Sequence, residues 1–224
     1  MDLSLVSHVT SSSNYLNSMP RITCKICRRL GESVCGREKC AYKKRPYAPG
    51  KLDSERKHRS NVSEYGEQLR AKQKMRHTYG LTEKQFEKYV KLATKAHETG
   101  EGSATPALKL YRELESRLDN IAFRAGFANT RALARQIVSH GHVTVNGRRI
   151  TVASHQVSIG DVVAIREGSK TTKLFTGLEE KLTSGAPAYQ FTANPKALSI
   201  EVKEAPREVE PIFDTQKVLE YYSR

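Results

Sequence analysis

Cys24, Cys27, Cys35 and Cys40 are the only cysteines in this 224-residue chain. Their spacing is CxxC, seven residues, then CxxxxC. Four thiolates in two short pairs suit a tetrahedral zinc ion, each sulfur about 2.3 Å from the metal. Disulfides do not persist in a reducing cytosol, which removes the other common use of such pairs. Lys25, Arg28, Arg29, Arg37, Lys39 and Lys43 surround the cysteines, and cations favour the thiolate and offset its charge. Residues 21–50 hold few large apolar side chains, so a bound metal would supply stability that a core cannot. Four unliganded thiols or an iron–sulfur cluster are the alternatives, and nothing else in the chain points to redox chemistry.

The second chemically informative set is cationic. The chain carries a net charge of +14, which points to a polyanionic partner, nucleic acid before membrane. The charge is uneven: residues 21–80 hold 17 Lys/Arg against 6 Asp/Glu, whereas residues 161–224 hold 9 against 10. Clusters recur at KKRPYAPGK, at Arg56-Lys57-His58-Arg59, along residues 70–76, and between Arg124 and Arg149. No run approaches the eighteen or so apolar residues of a membrane span. The first twenty residues lack a basic n-region and a long apolar stretch, so they do not read as a secretory signal. No GxSxG, P-loop or HExxH pattern is present to suggest common catalytic chemistry.

The elements that must position these groups are legible from period and punctuation. Residues 1–20 are Ser-rich and aperiodic and read as a disordered extension. Ser63 opens a helix that should end near Gly80, with Tyr65, Leu69, Met75 and Tyr79 on one side and Lys72 and Arg76 interrupting it. Thr82 and Gln85 form a capping box before Phe86, Tyr89, Val90 and Ala93, an amphipathic stripe. Pro106 suits the first turn of the next helix, and Leu110, Leu114, Leu118 and Ile121 continue at helical spacing. Thr130 caps a short helix over residues 131–139, with Leu133 and Ile137 on one side and Arg131 and Arg135 opposite. Gly141 ends it. A hairpin follows through Asn146-Gly147, the preferred type I′ turn, and a third strand runs over residues 162–165.

RLDN, FRAGFA, TRALARQ, SHGHVTVNG and GDVV, in that order, resemble the RNA-binding domain named after the fourth small-subunit ribosomal protein (S-four). SEYGEQLRAKQKMRHTYGLTEKQFEKYVKLATK, the cysteine segment and the final VLEYYSR extend the resemblance to the bacterial type of the S-four ribosomal protein family, leaving residues 171–207 poorly matched. The resemblance implies an α+β protein with five parts. These are a 1–20 extension, a zinc-binding segment at 21–50, a helical rRNA-binding domain at 51–115, an S-four-type domain of two short helices and a small antiparallel sheet at 116–170, and a 171–224 segment packing back on the helical domain. Met19 directly precedes the matching part and is the expected alternative start of translation.

The same resemblance implies a non-enzymatic component of the small subunit, cytoplasmic and in the ribosome. Such a protein binds 16S rRNA directly, nucleates assembly, touches the S-five neighbour, lies by the mRNA entry path and influences decoding accuracy. The expected RNA contacts are Arg28, Arg29, Lys43, Lys44, Arg45, Arg56, Lys57, Arg59, Lys72, Lys74, Arg76, Arg117, Arg124, Arg131, Arg135, Gln136, His140, His142 and Arg148. Arg117 has a second reading, an ion pair with Asp119 or Glu113. Two other functions compete. Arg117-Leu118-Asp119 is similar to the active-site triplet of pseudouridine synthases, which carry an S-four-type accessory domain, but no second large α/β domain is present to form a pocket. A zinc-dependent transcriptional regulator is the third, and the histidine pair of a two-Cys, two-His finger is missing.

Overall fold

The computed structural model describes residues 23–50, 62–98, 104–184 and 191–224. The expectations on residues 1–20, on Met19 and on Arg56, Lys57 and Arg59 fall outside these residues. Three apolar clusters organise the rest.

The first is small. Helix α1 (Cys24–Leu30) and the single turn α2 (Ala41–Lys44) hold Cys27, Val34 and Cys40 between them. The second belongs to helices α3 (Glu64–Thr78), α4 (Glu83–Glu98) and α5 (Pro106–Glu115), joined by the last helix of the chain, α9 (Thr215–Tyr222). The capping box at α4 forms both its bonds, with the Thr82 amide donating to Gln85 Oε1 at 3.2 Å and the Gln85 amide to Thr82 Oγ1 at 3.4 Å. Phe86, Val90 and Ala93 are buried as their spacing predicts.

Helix α3 departs from its expected stripe. Tyr65 is exposed, and the buried positions are Gln68, Lys72, Met75, His77 and Tyr79. Helix α9 lies along this face. It tolerates the polar residues because it brings Glu220 to Gln68 and the rings of Tyr221 and Tyr222 to Lys72.

The third cluster is formed by helices α6 (Leu118–Arg124) and α7 (Arg131–Ser139) and a five-stranded antiparallel sheet. Strands β1 (Val143–Val145), β2 (Arg148–Arg149), β3 (Val162–Ile165), β4 (Phe191–Asn194) and β5 (Ser199–Val202) are ordered β2-β1-β3-β5-β4. At the β1–β2 turn Asn146 has φ 50° and Gly147 φ 79°, the positive pair that a type I′ turn requires. The Asn146 side chain also receives the Val162 amide and donates to Asp161, so it fixes the hairpin to the start of β3.

Two boundaries differ from the sequence reading. The leucine series from Leu110 to Ile121 is interrupted, because Arg117 takes an extended conformation (ψ 136°) and splits it into α5 and α6. The described residues of 171–202 belong to the sheet-side core rather than to the helical one. A helix, α8 (Leu178–Ser184), and strands β4 and β5 extend the sheet and its core, and only the last stretch returns to α3 and α5.

Candidate nucleic-acid interface

The expected contact residues divide into those that face solvent and those already engaged inside the protein. Arg117 is the clearest of the engaged set. It is 2% exposed, donates to Asp119 through Nε at 3.0 Å and Nη2 at 2.7 Å, and donates to the Tyr89 hydroxyl at 2.8 Å. Its second reading, the pair with Asp119, is the one the structure contains, so Arg117 is corrected from an RNA contact to an internal strut. Lys72 is corrected likewise. Its ammonium is buried, 2.8 Å from Glu83 Oε1 and 4.2 Å from the centre of the Tyr221 ring.

Glu115 is 4% exposed and gathers three partners from the sheet-side helices. Arg124 donates to it twice, at 2.9 and 3.0 Å, Asn120 Nδ2 at 2.7 Å, and the Arg131 guanidinium lies 3.9 Å away. Tyr79, at the end of α3, donates its hydroxyl to the same carboxylate at 2.5 Å. Burial, and then the charge of Glu115, push the Tyr79 pKa well up, so the phenol stays a donor. Arg124 also pairs with Glu210 at 2.6 Å. Arg131 stacks over Tyr79 and Phe123, and Arg135 reaches Asp119 at 3.6 Å with its Nε left without a partner. Helix α7 therefore turns Arg131 and Arg135 toward α6 and the end of α3 rather than outward. Each keeps less than a fifth of its side-chain surface exposed.

On α3, Lys74 pairs with Glu32 at 2.5 Å and Arg76 with Glu83 at 3.6 Å. The first of these ties α3 to the cysteine segment. Arg28 stacks on Tyr47 at 4.7 Å and donates to the carbonyls of Tyr47 and Ala48, so it shapes the Pro-Tyr-Ala-Pro turn.

The remaining residues face solvent. Arg29, Lys43, Lys44 and Arg45 are exposed beside the cysteines and have no carboxylate partner among the described residues. Gln136, His140 and Arg148 are exposed at the corner where α7 meets the hairpin. His142 is half-buried there, with Nδ1 3.0 Å from Ser169 Oγ and its ring edge-on to Phe175. Burial first, then repulsion from His140, Arg166 and Arg149, holds its pKa below the ordinary imidazole value. That repulsion identifies a cluster of like charges. Arg149 and Arg166 are exposed, and neither meets a carboxylate among the described residues. A site that holds cations together without acids is suited to phosphate.

Arg166 escaped the sequence reading because it lies just past β3, far in sequence from His142, to whose carbonyl its amide donates at 2.8 Å. Lys84, Lys88 and Lys91 also went unread. They line one exposed face of α4, with Lys91 paired to Glu87 at 2.7 Å. Their i, i+4, i+7 spacing was available on the polar side of the stripe that was read.

The Sγ atoms of Cys24, Cys35 and Cys40 lie within 4.8 Å of one another. Cys27, the fourth thiol, is buried in the same small cluster. Thiolates around tetrahedral zinc stand roughly 3.8 Å apart, so the donor set fits such an ion with little rearrangement. Burial pushes the Cys27 thiol up to about 12. Burial also opposes ionisation of Cys40, but hydrogen bonds from Ser33, the Tyr42 amide, Cys35 and Cys27 bring it down to about 7.

Two family models match the chain. Residues 19–110 match the Ribosomal protein S4/S9 N-terminal domain, and residues 116–163 match the S4 domain. The gap between them, residues 111–115, is the second half of α5. The chain is similar to the small ribosomal subunit protein uS4 of Levilactobacillus brevis, 43% identical over 201 residues, covering 89% of this chain and 96% of that protein. It is also similar to uS4A of Alkaliphilus oremlandii, 40% identical over 210 residues (90% and 96% covered), and to uS4 of Acidithiobacillus ferrooxidans, 40% identical over 212 residues (90% and 97% covered).

Proposed function

This chain belongs to the uS4 family of small ribosomal subunit proteins, and we propose that it binds small-subunit rRNA through two separated cationic surfaces. One is the α7–hairpin corner, with Gln136, His140, His142, Arg148, Arg149 and Arg166. The other is the rim of the cysteine segment, with Arg29, Lys43, Lys44 and Arg45. The observation that carries this reading is a division among the expected contact residues: Lys72, Lys74, Arg76, Arg117, Arg124, Arg131 and Arg135 have carboxylate partners and are buried or mostly covered, whereas Arg29, Lys43, Lys44, Arg45 and Arg148 are exposed with no carboxylate partner among the described residues. A cation without a protein partner exchanges counterions for phosphates on binding, which supplies affinity.

The protein is a structural component of the small subunit and not an enzyme. Asp119, the one residue of the Arg-Leu-Asp triplet able to act as a nucleophile, is buried with both carboxylate oxygens held by Arg117. No substrate reaches it. No described helix is long and apolar enough to cross a membrane.

Cys24, Cys27, Cys35 and Cys40 would hold one zinc ion, whose chemistry here is to cross-link a segment with little core of its own. Binding at an early stage of assembly, contact with the S-five protein, a place by the mRNA entry path and an influence on accuracy are proposed from the family resemblance. The mRNA part rests on Arg56, Lys57 and Arg59 by sequence alone.

The test is a salt series of binding to a small-subunit rRNA fragment and to an unrelated duplex of equal length. The expected result is tighter binding to the rRNA fragment at every salt concentration, with log K falling linearly against log salt. Equal affinity for the two RNAs would sink the reading.

A further inference from the structure

The helical and sheet-side cores do not merge. The apolar cluster of α3, α4, α5 and α9 and that of α6, α7 and the sheet share no residue. Between them lies a layer of charge. The chain crosses this layer at Ser116–Arg117 and again between β5 and α9. Among the described residues the two apolar clusters stay separate at both crossings.

Glu115 sits at the first crossing, at the last position of α5. From the helical side it receives Tyr79, and from the sheet side Asn120 and Arg124, with Arg131 nearby. Arg124 then reaches Glu210 on the returning chain, so one carboxylate links both crossings. The layer is directional in a way that an apolar contact is not. Hydrogen bonds near 2.5–3.0 Å tolerate little rotation, and a buried carboxylate that loses its donors is costly.

We propose that Glu115 is a positioning residue: by clamping Tyr79, Asn120 and Arg124 together it holds the two RNA-binding surfaces at one fixed angle, so that they engage a single rRNA site as one rigid body. The inference rests on the proposed rRNA binding. The cysteine segment moves with the helical side through Lys74 and Glu32, and the hairpin corner moves with α7. Two surfaces held at the correct angle bind the second contact intramolecularly, whereas surfaces that swivel dilute that advantage.

The experiment uses the full zinc-loaded chain and Glu115→Gln, which keeps the shape and removes the charge. Residual dipolar couplings of α3 and α7 amides in the free protein report the angle. In the wild type one alignment tensor should fit both helices, and in Glu115→Gln two should be needed. Affinity for the complete rRNA fragment should fall by at least ~10-fold, while affinity for a short RNA duplex that spans only one surface stays the same or rises slightly. Tyr79→Phe removes one clasp without altering charge and should shift both readouts the same way by less, which keeps the test open should Glu115→Gln fail to fold.

A single tensor with full affinity in Tyr79→Phe, and in Glu115→Gln where it folds, overturns the inference. So does an equal loss of affinity for both RNAs. A wild type that does not prefer the rRNA fragment over the unrelated duplex overturns the RNA reading instead, and leaves the couplings to decide the clamp.

Discussion

Arg117 and Asp119 form a two-bond ion pair, at 2.7 and 3.0 Å, closed off from solvent at the first turn of α6. The Tyr89 hydroxyl completes the guanidinium's partners. The pair costs desolvation, but removing Arg117 leaves the buried Asp119 carboxylate without its two short bonds, with the Arg135 guanidinium at 3.6 Å as its remaining cation. Arg117→Ala should therefore destabilise the protein by about 3–5 kcal/mol. Urea titration of wild type and variant measures this. A loss below ~1 kcal/mol, the range of surface pairs, would show that the pair is open to water.

The metal proposal makes two linked predictions. Purified protein should contain one zinc equivalent, and Cys24→Ser should expose residues 23–50 to protease. Zinc must displace protons, above all from Cys27, whose thiol is pushed up to about 12 by burial. Apparent zinc affinity should thus rise steadily as pH increases from 6 to 8, read by competition with a chromophoric chelator. Metal-free protein with unchanged protease resistance would end the proposal.

His77 gives the chain an acid sensitivity of its own. Burial first, then the Arg76 guanidinium, push its pKa down to about 4 from 6.5. Its Nε2 lies 3.0 Å from Arg76 Nη2, and its Nδ1 has no partner, so the neutral ring accepts from Arg76 and has no place for a second proton. The sign follows from linkage. Between pH 6.5 and 4 the unfolded chain takes up a proton that the folded chain refuses. Stability from this group is complete above pH 6.5 and falls as pH drops toward 4, by on the order of 2 kcal/mol at pH 4.5. His77→Gln should flatten that part of the stability profile in urea melts at stepped pH. Parallel profiles for the two proteins would remove His77 as the cause.

Local signals carried most of the fold. The capping box at Thr82, the cap at Thr130 and the Asn-Gly turn each specify their own backbone, and each formed as read. What was hidden depended on partners distant in sequence. The inner face of α3 contains Gln68 and Lys72, which no periodicity assigns to a core; Glu83 of α4 and, some 150 positions later, the residues of α9 make them tolerable. Strands β4 and β5 are short and partly polar, and β5 pairs with β3 as well as with β4. The surroundings of the α7 arginines were hidden for the same reason. A helical wheel shows that Arg131 and Arg135 share a side, but not that Glu115 and Asp119 await them there.

That last point separates two ways of being an arginine in this fold, and a salt series distinguishes them. Each phosphate contact contributes about 0.7–0.9 to the slope of log K against log salt. Arg149 and Arg166 are exposed beside His142 without carboxylate partners among the described residues. Replacing both with Ala should leave the melting temperature near that of wild type, weaken rRNA binding at low salt, and flatten the slope by roughly 1.4–1.8. Arg131 and Arg135 are spent on Glu115, Asn120 and Asp119. Replacing both of those should instead lower the melting temperature, because the buried carboxylates of Glu115 and Asp119 each lose a cationic neighbour, while changing the slope by less than about 0.7, one contact's worth. Both double variants should be measured on the same rRNA fragment over the same salt range. If the Arg131/Arg135 variant melts like wild type and loses the larger slope, the inward ion pairs yield to RNA on binding, and the cationic face must be redrawn around α7.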